Sequence, residues 1–490
     1  MGLKTLFTNI QSLSKEKSLR CDVDFVEFQN HFTLSKYYSF KDLFEIVKDN
    51  KVNLENLDDD FYYVEIGNVT KNGVVEPVKL NFNIRKIEDE SYYKKIEKGD
   101  IIQVQVGDIL ISKVRPNLKK FVFIDEDNKN YYYTSAFIHL RPKKLNKILY
   151  YSLRSIFYNN LIAISRQGKG YPTIKENDML CLKFDKNIID TLINKKIDID
   201  KDINFIEEET KQLQNKIENP QKIINKIFAK EFDFNESLYD DFGKGMTAGT
   251  QTAKNRTLRT FETNFSDIAT NKILRSSTRY HNIPTKTLTN ILKKIDTIKV
   301  KDVVESYEKG IQPDYVLYGD IPVIKIANLK NGYIDFSETE YISKEDYDKL
   351  SERKKIKHGD IILCVTGKVS LGKIDYYDYE NEAITTVDNY VIKLKDNYNP
   401  LFFIYFFRCI LGCFQVERDY TGTTNQIHLY WDEISNFKIP NLKLTLQQKI
   451  VDEIKSELDL QEQIKNQIEE NYVKIENLLT NIIKSPEVEK

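Results

Sequence analysis

Two short stretches of this chain carry side chains suited to reading a nucleic-acid surface. Arg166, Gln167, Lys169 and Tyr171 lie in the loop 165–173, and Thr423, Thr424, Asn425, Gln426 and His428 lie in a stretch opened by Thr421-Gly422. Guanidinium, amide and hydroxyl groups match the donors and acceptors of base edges, and ammonium groups match phosphates. Lys113, Arg115, Lys119 and Lys120 precede the first loop, and Lys368, Ser370 and Lys373 precede the second. Any one of them reads equally well as a solvated surface group, so the pattern rests on their clustering at two matching places. The two loops differ in chemistry, as readers of two different half-sites would.

The elements that hold these loops occur twice. Val64-Glu65-Ile66-Gly67-Asn68-Val69 followed by Asn72-Gly73 answers Ile324-Lys325-Ile326-Ala327-Asn328-Leu329 followed by Asn331-Gly332. Gly107-Asp108-Ile109-Leu110-Ile111-Ser112 answers Gly359-Asp360-Ile361-Ile362-Leu363-Cys364. An apolar helix over 148–164 answers another over 401–414, each loop comes next, and a long helix closes each copy. The same order throughout means internal duplication. Within the first copy the patterns predict a helix over 41–48, a strand over 61–69 and a strand over 131–140.

Both long helices carry an apolar stripe. Ile203, Ile206, Leu213, Ile217, Ile224 and Ile227 recur at threes, fours and sevens in the mid-chain zone, which Pro220 must kink or divide. Ile454, Leu458, Ile468, Tyr472, Ile475, Leu479 and Ile482 form the stripe of the closing helix, interrupted by Gln461 and Lys465. Each stripe calls for a partner helix, and the chain itself supplies one. At about 1.5 Å per residue, 30 to 40 residues reach roughly 45 to 60 Å, more than one turn of B-DNA, so the pair has the length of a ruler between two half-sites.

Composition narrows the function classes. The chain has 490 residues, 41% hydrophobic, which calls for two or three domains. The formal net charge of −1 provides no global nucleic-acid signature, so DNA contact must rest on local patches. Five scattered cysteines suit reduced thiols better than a disulfide framework or a zinc site. The N-terminus does not have the pattern of a signal peptide, and the most apolar run, 401–414, is too short to span a bilayer and contains Arg408. There is no Walker motif and no metal-like histidine cluster. Phe242-Gly243-Lys244-Gly245 and Asn399-Pro400-Leu401-Phe402 read as turns, not as methyltransferase motifs. The basic stretch from Lys254 through Arg256, Arg259, Lys272, Arg275 and Arg279 serves either the phosphate backbone or the solubility of a linker. The acidic closing helix points to a protein partner.

Three runs carry a family resemblance: GDIILCVTGKVSLGKI (359–374), TGTTNQIHLYWDEISNFKIP (421–440) and LQQKIVDEI (446–454). In order and spacing they resemble the target recognition domain and following helix of type I restriction-modification specificity subunits. LRSSTRYHNI, from Leu274, is similar to the opening of such a half. The first half resembles the family more weakly, with no Gln-Gln pair opening its helix and a basic Gly168 loop in place of a Thr-rich one.

The resemblance implies an α+β fold with two similar mixed α/β target recognition domains, a long antiparallel, coiled-coil-like helical spacer and an internal pseudo-two-fold repeat. On this reading residues 1–187 form the first recognition domain, 188–232 the central spacer helices, 233–264 a linker, 265–443 the second recognition domain and 444–485 the closing spacer helix. The implied function is non-catalytic reading of a bipartite, asymmetric double-stranded DNA site, directing adenine methylation and restriction by partners. Those partners are two adenine-methyltransferase subunits and, optionally, two restriction-translocase subunits, in a prokaryotic cytoplasm at the nucleoid. No cofactor is expected on this chain; S-adenosylmethionine, ATP and magnesium belong to the partners. Two other readings stay open, a helix-mediated scaffold or adaptor without sequence readout and the specificity subunit of a single-partner methyltransferase-nuclease.

Overall fold

Each copied Gly-Asp-Ile run is a turn that feeds a central strand. Gly107 and Gly359 take φ of 92° and 94°, the left-handed region that glycine enters without penalty. The following aspartate closes the turn: Asp108 accepts from the Gln105 N–H at 3.0 Å and Asp360 from the Lys357 N–H at 2.9 Å. The protein is described from a computed structural model, which covers residues 36–48, 60–81, 98–166, 170–240, 262–269, 277–423 and 426–484, with Phe25, Val52 and Lys94 besides. It divides into two compact units, residues 1–216 with 464–490, and residues 217–463.

In the first unit, β1 (Tyr37–Ser39) pairs with β10 (Lys183–Asp185), joining the start and end of the copy. A four-stranded antiparallel sheet runs β2-β9-β6-β7, with β2 Phe44–Ile46, β6 Ile109–Ser112, β7 Phe121–Phe123 and β9 Phe137–Pro142. A second sheet runs β4-β3-β8-β5, with β3 Asp60–Val64, β4 Val78–Asn81, β5 Ile101–Ile102 and β8 Tyr132–Thr134. Its β3 and β8 are parallel. Helices α1 (Asn146–Arg154) and α2 (Tyr158–Ala163) bury Ile148, Leu149, Leu153 and Leu161 against Ile109, Ile111 and Ile138.

The second unit repeats this plan. β11 (Thr297–Lys299) pairs with β21 (Lys438–Pro440). The sheet β12-β18-β15-β16 combines Val304–Lys309, Asn389–Leu394, Ile361–Cys364 and Ile374–Tyr376, all antiparallel. The sheet β14-β13-β17 combines Glu340–Ile342, Ile321–Ile324 and Ile384–Thr385, and here too the pair answering β3 and β8 is parallel. A hairpin, β19 (Thr421–Thr423) and β20 (Gln426–His428), completes the strands. The fold class read from the sequence, two similar mixed α/β domains with helical spacers, is observed.

Several elements differ from the periodicity reading. The expected helix 41–48 is helical only over Phe40–Leu43 and then becomes β2, because Phe44 and Ile46 are needed opposite β9. The strand 61–69 ends at Val64 and turns into a 3-10 helix, Ile66–Asn68. The strand 131–140 breaks at Ser135-Ala136, so β8 serves one sheet and β9 the other. Both apolar helices are pairs. In the second unit α5 and α6 (Pro400–Arg408 and Ile410–Asp419) follow one another through Cys409; among the described residues no single helix is long and apolar enough to cross a membrane, and this pair, bent by 68°, is buried in the unit's own core.

The mid-chain zone divides as proline chemistry requires. Helix α3 (Lys196–Gln214) stops, Asn219 accepts from the Gln221 N–H at 2.8 Å as an N-cap, and Pro220 takes the first position of α4 (Pro220–Glu231). In the first unit α3 runs antiparallel to residues 464–484 of the closing helix, Leu444–Lys484. Ile199 and Ile203 share a core with Ile475 and Leu479, while Leu213 meets Ile464 and Ile468. In the second unit Ile223, Ile224 and Ile227 share a core with Ile450, Val451 and Ile454, and Lys230 pairs with Glu453 at 2.9 Å. Ile206, Leu458 and Ile482 are partly buried along the same seams. Ile217 is a correction: it sits 40% exposed in the turn between α3 and α4, off the stripe that its spacing suggested. The expected linker 233–264 and the basic stretch lie largely outside the described residues.

Candidate nucleic-acid interface

The first unit sews its two suspected loops together. Val114 bridges Thr173, and Thr173 in turn bridges Arg166. The Arg115 N–H donates to the Pro172 carbonyl at 2.8 Å and the Ile174 N–H to the Lys113 carbonyl at 2.9 Å. Between Arg115 and Lys119, both in the left-handed region at φ of 50° and 52°, Pro116–Leu118 forms a 3-10 turn. Loops about 50 residues apart in sequence thus make one surface ridge.

Most of its cations already have partners. Arg166 grips Asp178 with two nitrogens at 2.7 to 3.1 Å, so it closes the base of its loop instead of pointing from the tip. Lys113 donates to the Ser135 carbonyl at 2.9 Å and pairs with Glu176 at 3.1 Å. Lys119 pairs with Glu476 at 3.1 Å and lies over the Tyr158 ring, and Lys120 donates to the Ile66 carbonyl at 3.0 Å. Arg115 and Tyr171 remain exposed, with the guanidinium 5.1 Å from the ring centroid. Gln167 and Lys169 lie outside the described residues.

The second unit is joined in the same way. Thr366 bridges His428, the Gly367 N–H donates to the Ile427 carbonyl at 3.1 Å, and the Leu429 N–H donates to the Val365 carbonyl at 3.0 Å. Gly367 and Gly372, both at φ of 85°, bracket a turn on which Lys368 is exposed and Ser370 half-buried. Lys373 is half-buried beyond it, and His428 stacks on Tyr430 with centroids 6.1 Å apart. Thr423 and Gln426 pair across the hairpin; Thr424 and Asn425 at its tip, and the side chains of Thr423 and Gln426, lie outside the described residues.

Residues 293–470 match the family described as the type I restriction modification DNA specificity domain. This segment is similar to a type I specificity domain. The resemblance read from 359–374, 421–440 and 446–454 is thereby borne out, since all three runs fall inside it. No curated protein sequence matches the chain. Among solved structures, the chain is similar to one from a study of assembly and conformational transition in a type I restriction-modification system, at 13% identity over 92% of this chain and 96% of that one, with a TM-score of 0.41. It is also similar to the S subunit of a type I restriction-modification system from M. genitalium, at 12% identity over 93% and 98%, TM-score 0.38. The HsdS subunit of Thermoanaerobacter tengcongensis matches at 12% identity over 92% and 95%, TM-score 0.31.

The second unit contains a buried arginine to which the sequence reading gave no site role. Arg408 closes α5, nine-tenths buried beside Gly332 and near Asp375, which accepts from the Asn331 N–H at 3.0 Å and the Gly332 N–H at 2.5 Å. Burial pushes the Asp375 carboxyl up to about 6, against the pull of those N–H groups and of Arg408. Burial also lowers the Arg408 guanidinium below its ordinary value. The first unit has the equivalent residue in Arg154 at the end of α1, which donates to the Lys119 carbonyl at 2.7 Å and the Lys71 carbonyl at 2.6 Å. The signal was present in the sequence as a lone arginine ending each copied apolar helix.

The aspartates of the copied turns have opposite electrostatics. Burial favours the neutral form of Asp108, but hydrogen bonds from His139 (2.6 Å), Arg141 (2.9 and 3.1 Å) and the Gln105 N–H outweigh it and hold the carboxyl below its usual range. For Asp360 burial dominates and raises it, against the Lys357 N–H, Lys393 at 3.4 Å and the charge of Lys357. Among the described residues no three His, Cys, Asp or Glu side chains form a group able to hold a metal ion.

Proposed function

We propose that this chain is the DNA-reading specificity subunit of a type I restriction-modification complex. Each unit reads one half of a bipartite, asymmetric site on double-stranded DNA, and partner subunits methylate adenine within that site. The observation that carries this reading is the double loop ridge, built by the same backbone connections in both units yet dressed with different side chains. Identical scaffolds with different reading groups fit two half-sites of different sequence. Fold alone does not give function, and the match of residues 293–470 to a DNA specificity domain supports the same conclusion from the sequence side.

The chain then acts without chemistry of its own. S-adenosylmethionine resides on two methyltransferase partners, and ATP and magnesium on restriction subunits when these join. The antiparallel pairing of α3 and α4 with the closing helix supports a spacer role.

The deciding experiment is loop exchange in cells. Residues 166–171 are replaced by the equivalent loop of another specificity protein, and genomic adenine methylation is mapped. A changed or lost half-site with the other half intact is the expected result. An unchanged methylation pattern would instead favour a scaffold without readout, and absence of any methylation dependent on this chain would end the proposal.

A further inference from the structure

Superposing the two ridges by their backbone connections puts one arginine where the fold calls for glycine. Counting from the ends of β6 and β15, Ser112 answers Cys364, Val114 answers Thr366 and Arg115 answers Gly367. The pairings agree: Val114 bridges Thr173 as Thr366 bridges His428, and the Arg115 N–H reaches Pro172 as the Gly367 N–H reaches Ile427. Both residues take the left-handed conformation, at φ of 50° and 85°. Glycine does so freely, whereas a residue with a Cβ is strained there. Strain of this kind persists where the surrounding structure enforces it and is characteristic of functional positions.

The arginine side chain is also the one cation of the first ridge with no acidic or carbonyl partner among the described residues. Lys113, Lys119, Lys120 and Arg166 are all engaged. Arg115 is exposed, its guanidinium lying against the face of Tyr171, which is itself 47% exposed. Its backbone is fixed on both sides, by the bond to Pro172 and by the Leu118 N–H, which donates back to the Arg115 carbonyl at 2.9 Å. The buried Pro116 follows it. A flexible phosphate-seeking cation needs none of this. A planar fork held on an aromatic platform is what bidentate recognition of a base edge requires.

We infer that Arg115 is the specificity-determining residue of the first unit, reading a guanine through its O6 and N7 in the major groove, with Tyr171 as its positioning residue. The inference rests on the DNA-reading function proposed above.

The test uses the full chain co-purified with the adenine methyltransferase it pairs with. A pool of random duplexes is incubated with the complex, the bound DNA is sequenced, and the resulting motif is varied one base pair at a time. Wild type, Arg115→Lys and Arg115→Gly are then compared by titration at several salt concentrations. Both variants are expected to lose about tenfold or more of the preference at one G·C pair in one half-site. The other half-site, binding to random DNA and the salt slope should stay as in wild type, and Arg115→Gly should melt no lower than wild type. Weaker binding to all duplexes alike, with a salt slope smaller by about one, would make Arg115 a phosphate contact and overturn the inference. Unchanged preference in both variants would also overturn it, as would a marked drop in the melting temperature of Arg115→Gly. A wild-type complex that selects no motif overturns the DNA-reading function itself, an outcome distinct from a motif indifferent to Arg115.

Discussion

The guanidinium of Arg154 donates to the carbonyl of Lys119 at 2.7 Å, from a position 1% exposed at the end of α1. Its other branch reaches the Lys71 carbonyl at 2.6 Å. One buried side chain thus ties the turn 71–73 to the ridge that carries Arg115. Replacing Arg154 with leucine removes both charged hydrogen bonds, leaving the Lys71 carbonyl without its donor and the Lys119 carbonyl with the Phe121 N–H alone, at 2.8 Å. Hydrogen bonds from a charged donor contribute about 1.5 to 3 kcal/mol each, so Arg154→Leu should cost on the order of 3 kcal/mol or more. Denaturant unfolding measures this directly, and a loss under about 1 kcal/mol would show that Arg154 does not pin the two turns together.

The two units should respond in opposite directions to acid. Asp375, pushed up to about 6 from 3.8, favours its protonated form in the folded state. Its contribution to stability is therefore fully present below about pH 4 and is lost as pH rises through about 6. Asp108, held below 3.8, contributes above about pH 4 and loses that contribution as pH falls further. Asp375→Asn should accordingly flatten the decline in thermal stability between about pH 4 and 7, by up to about 3 kcal/mol, because each tenfold change in acidity corresponds to about 1.4 kcal/mol. Melting curves of wild type and variant across that range decide it; parallel pH profiles would exclude Asp375 as the source.

How much of this was legible in the sequence follows from which forces are local. The turn at Gly107-Asp108 and its copy could be read because glycine and an Asx side chain are short-range signals. Pro220 marked the break between α3 and α4 for the same reason. The helix expected at 41–48 failed because Phe44 and Ile46 are claimed by β9, more than 90 residues onward, and tertiary pairing overrides a short periodicity. Ile217 failed because a stripe counted across a proline loses its phase. The loop residues were placed on the right ridge, but which cations remain exposed depends on partners remote in sequence. Arg166 finds Asp178, and Lys119 finds Glu476, 357 positions away. No pattern within the loops themselves could show that, among the described cations of this ridge, Arg115 would be the one left.

The seam between α3 and the closing helix contains a buried polar pair. Asn471, fully buried, donates to Thr210 Oγ1 at 3.3 Å, while that hydroxyl donates to the Ile206 carbonyl at 2.7 Å. A single polar residue in an apolar seam sets register at some cost in stability. Because Thr210 keeps its bond to Ile206, and Lys474, which donates to Asn471 Oδ1 at 2.9 Å, is exposed to water, Asn471→Leu should leave no buried orphaned donor and should raise the melting temperature by a few degrees. A lower melting temperature would mean that the pair contributes net stability and not only register.

Two turns of the first unit, at 71–72 and at Lys119, are also held by carboxylates of the closing helix. Glu469 pairs with Lys71 at 2.7 Å and accepts from Asn72 at 2.6 Å, and one heptad on Glu476 pairs with Lys119 at 3.1 Å. Burial raises Glu469, but the hydrogen bonds from Lys71 and Asn72 and nearby Arg154 outweigh it and keep the carboxyl lowered, so the pair is charged at neutral pH. On the proposed DNA-reading function, these carboxylates hold two ammonium groups that could otherwise pair with phosphates. In the double variant Glu469→Gln with Glu476→Gln both lysines become available, and each new phosphate contact releases counterions. Binding to random duplex should therefore tighten, and its salt slope should steepen by about one to two, while the preferred sequence is unchanged because phosphates carry no base information. Fluorescence anisotropy at a series of salt concentrations reads both quantities. An unchanged slope would show that Lys71 and Lys119 face away from the DNA path, and that the two carboxylates serve only to seat the loops on the helix.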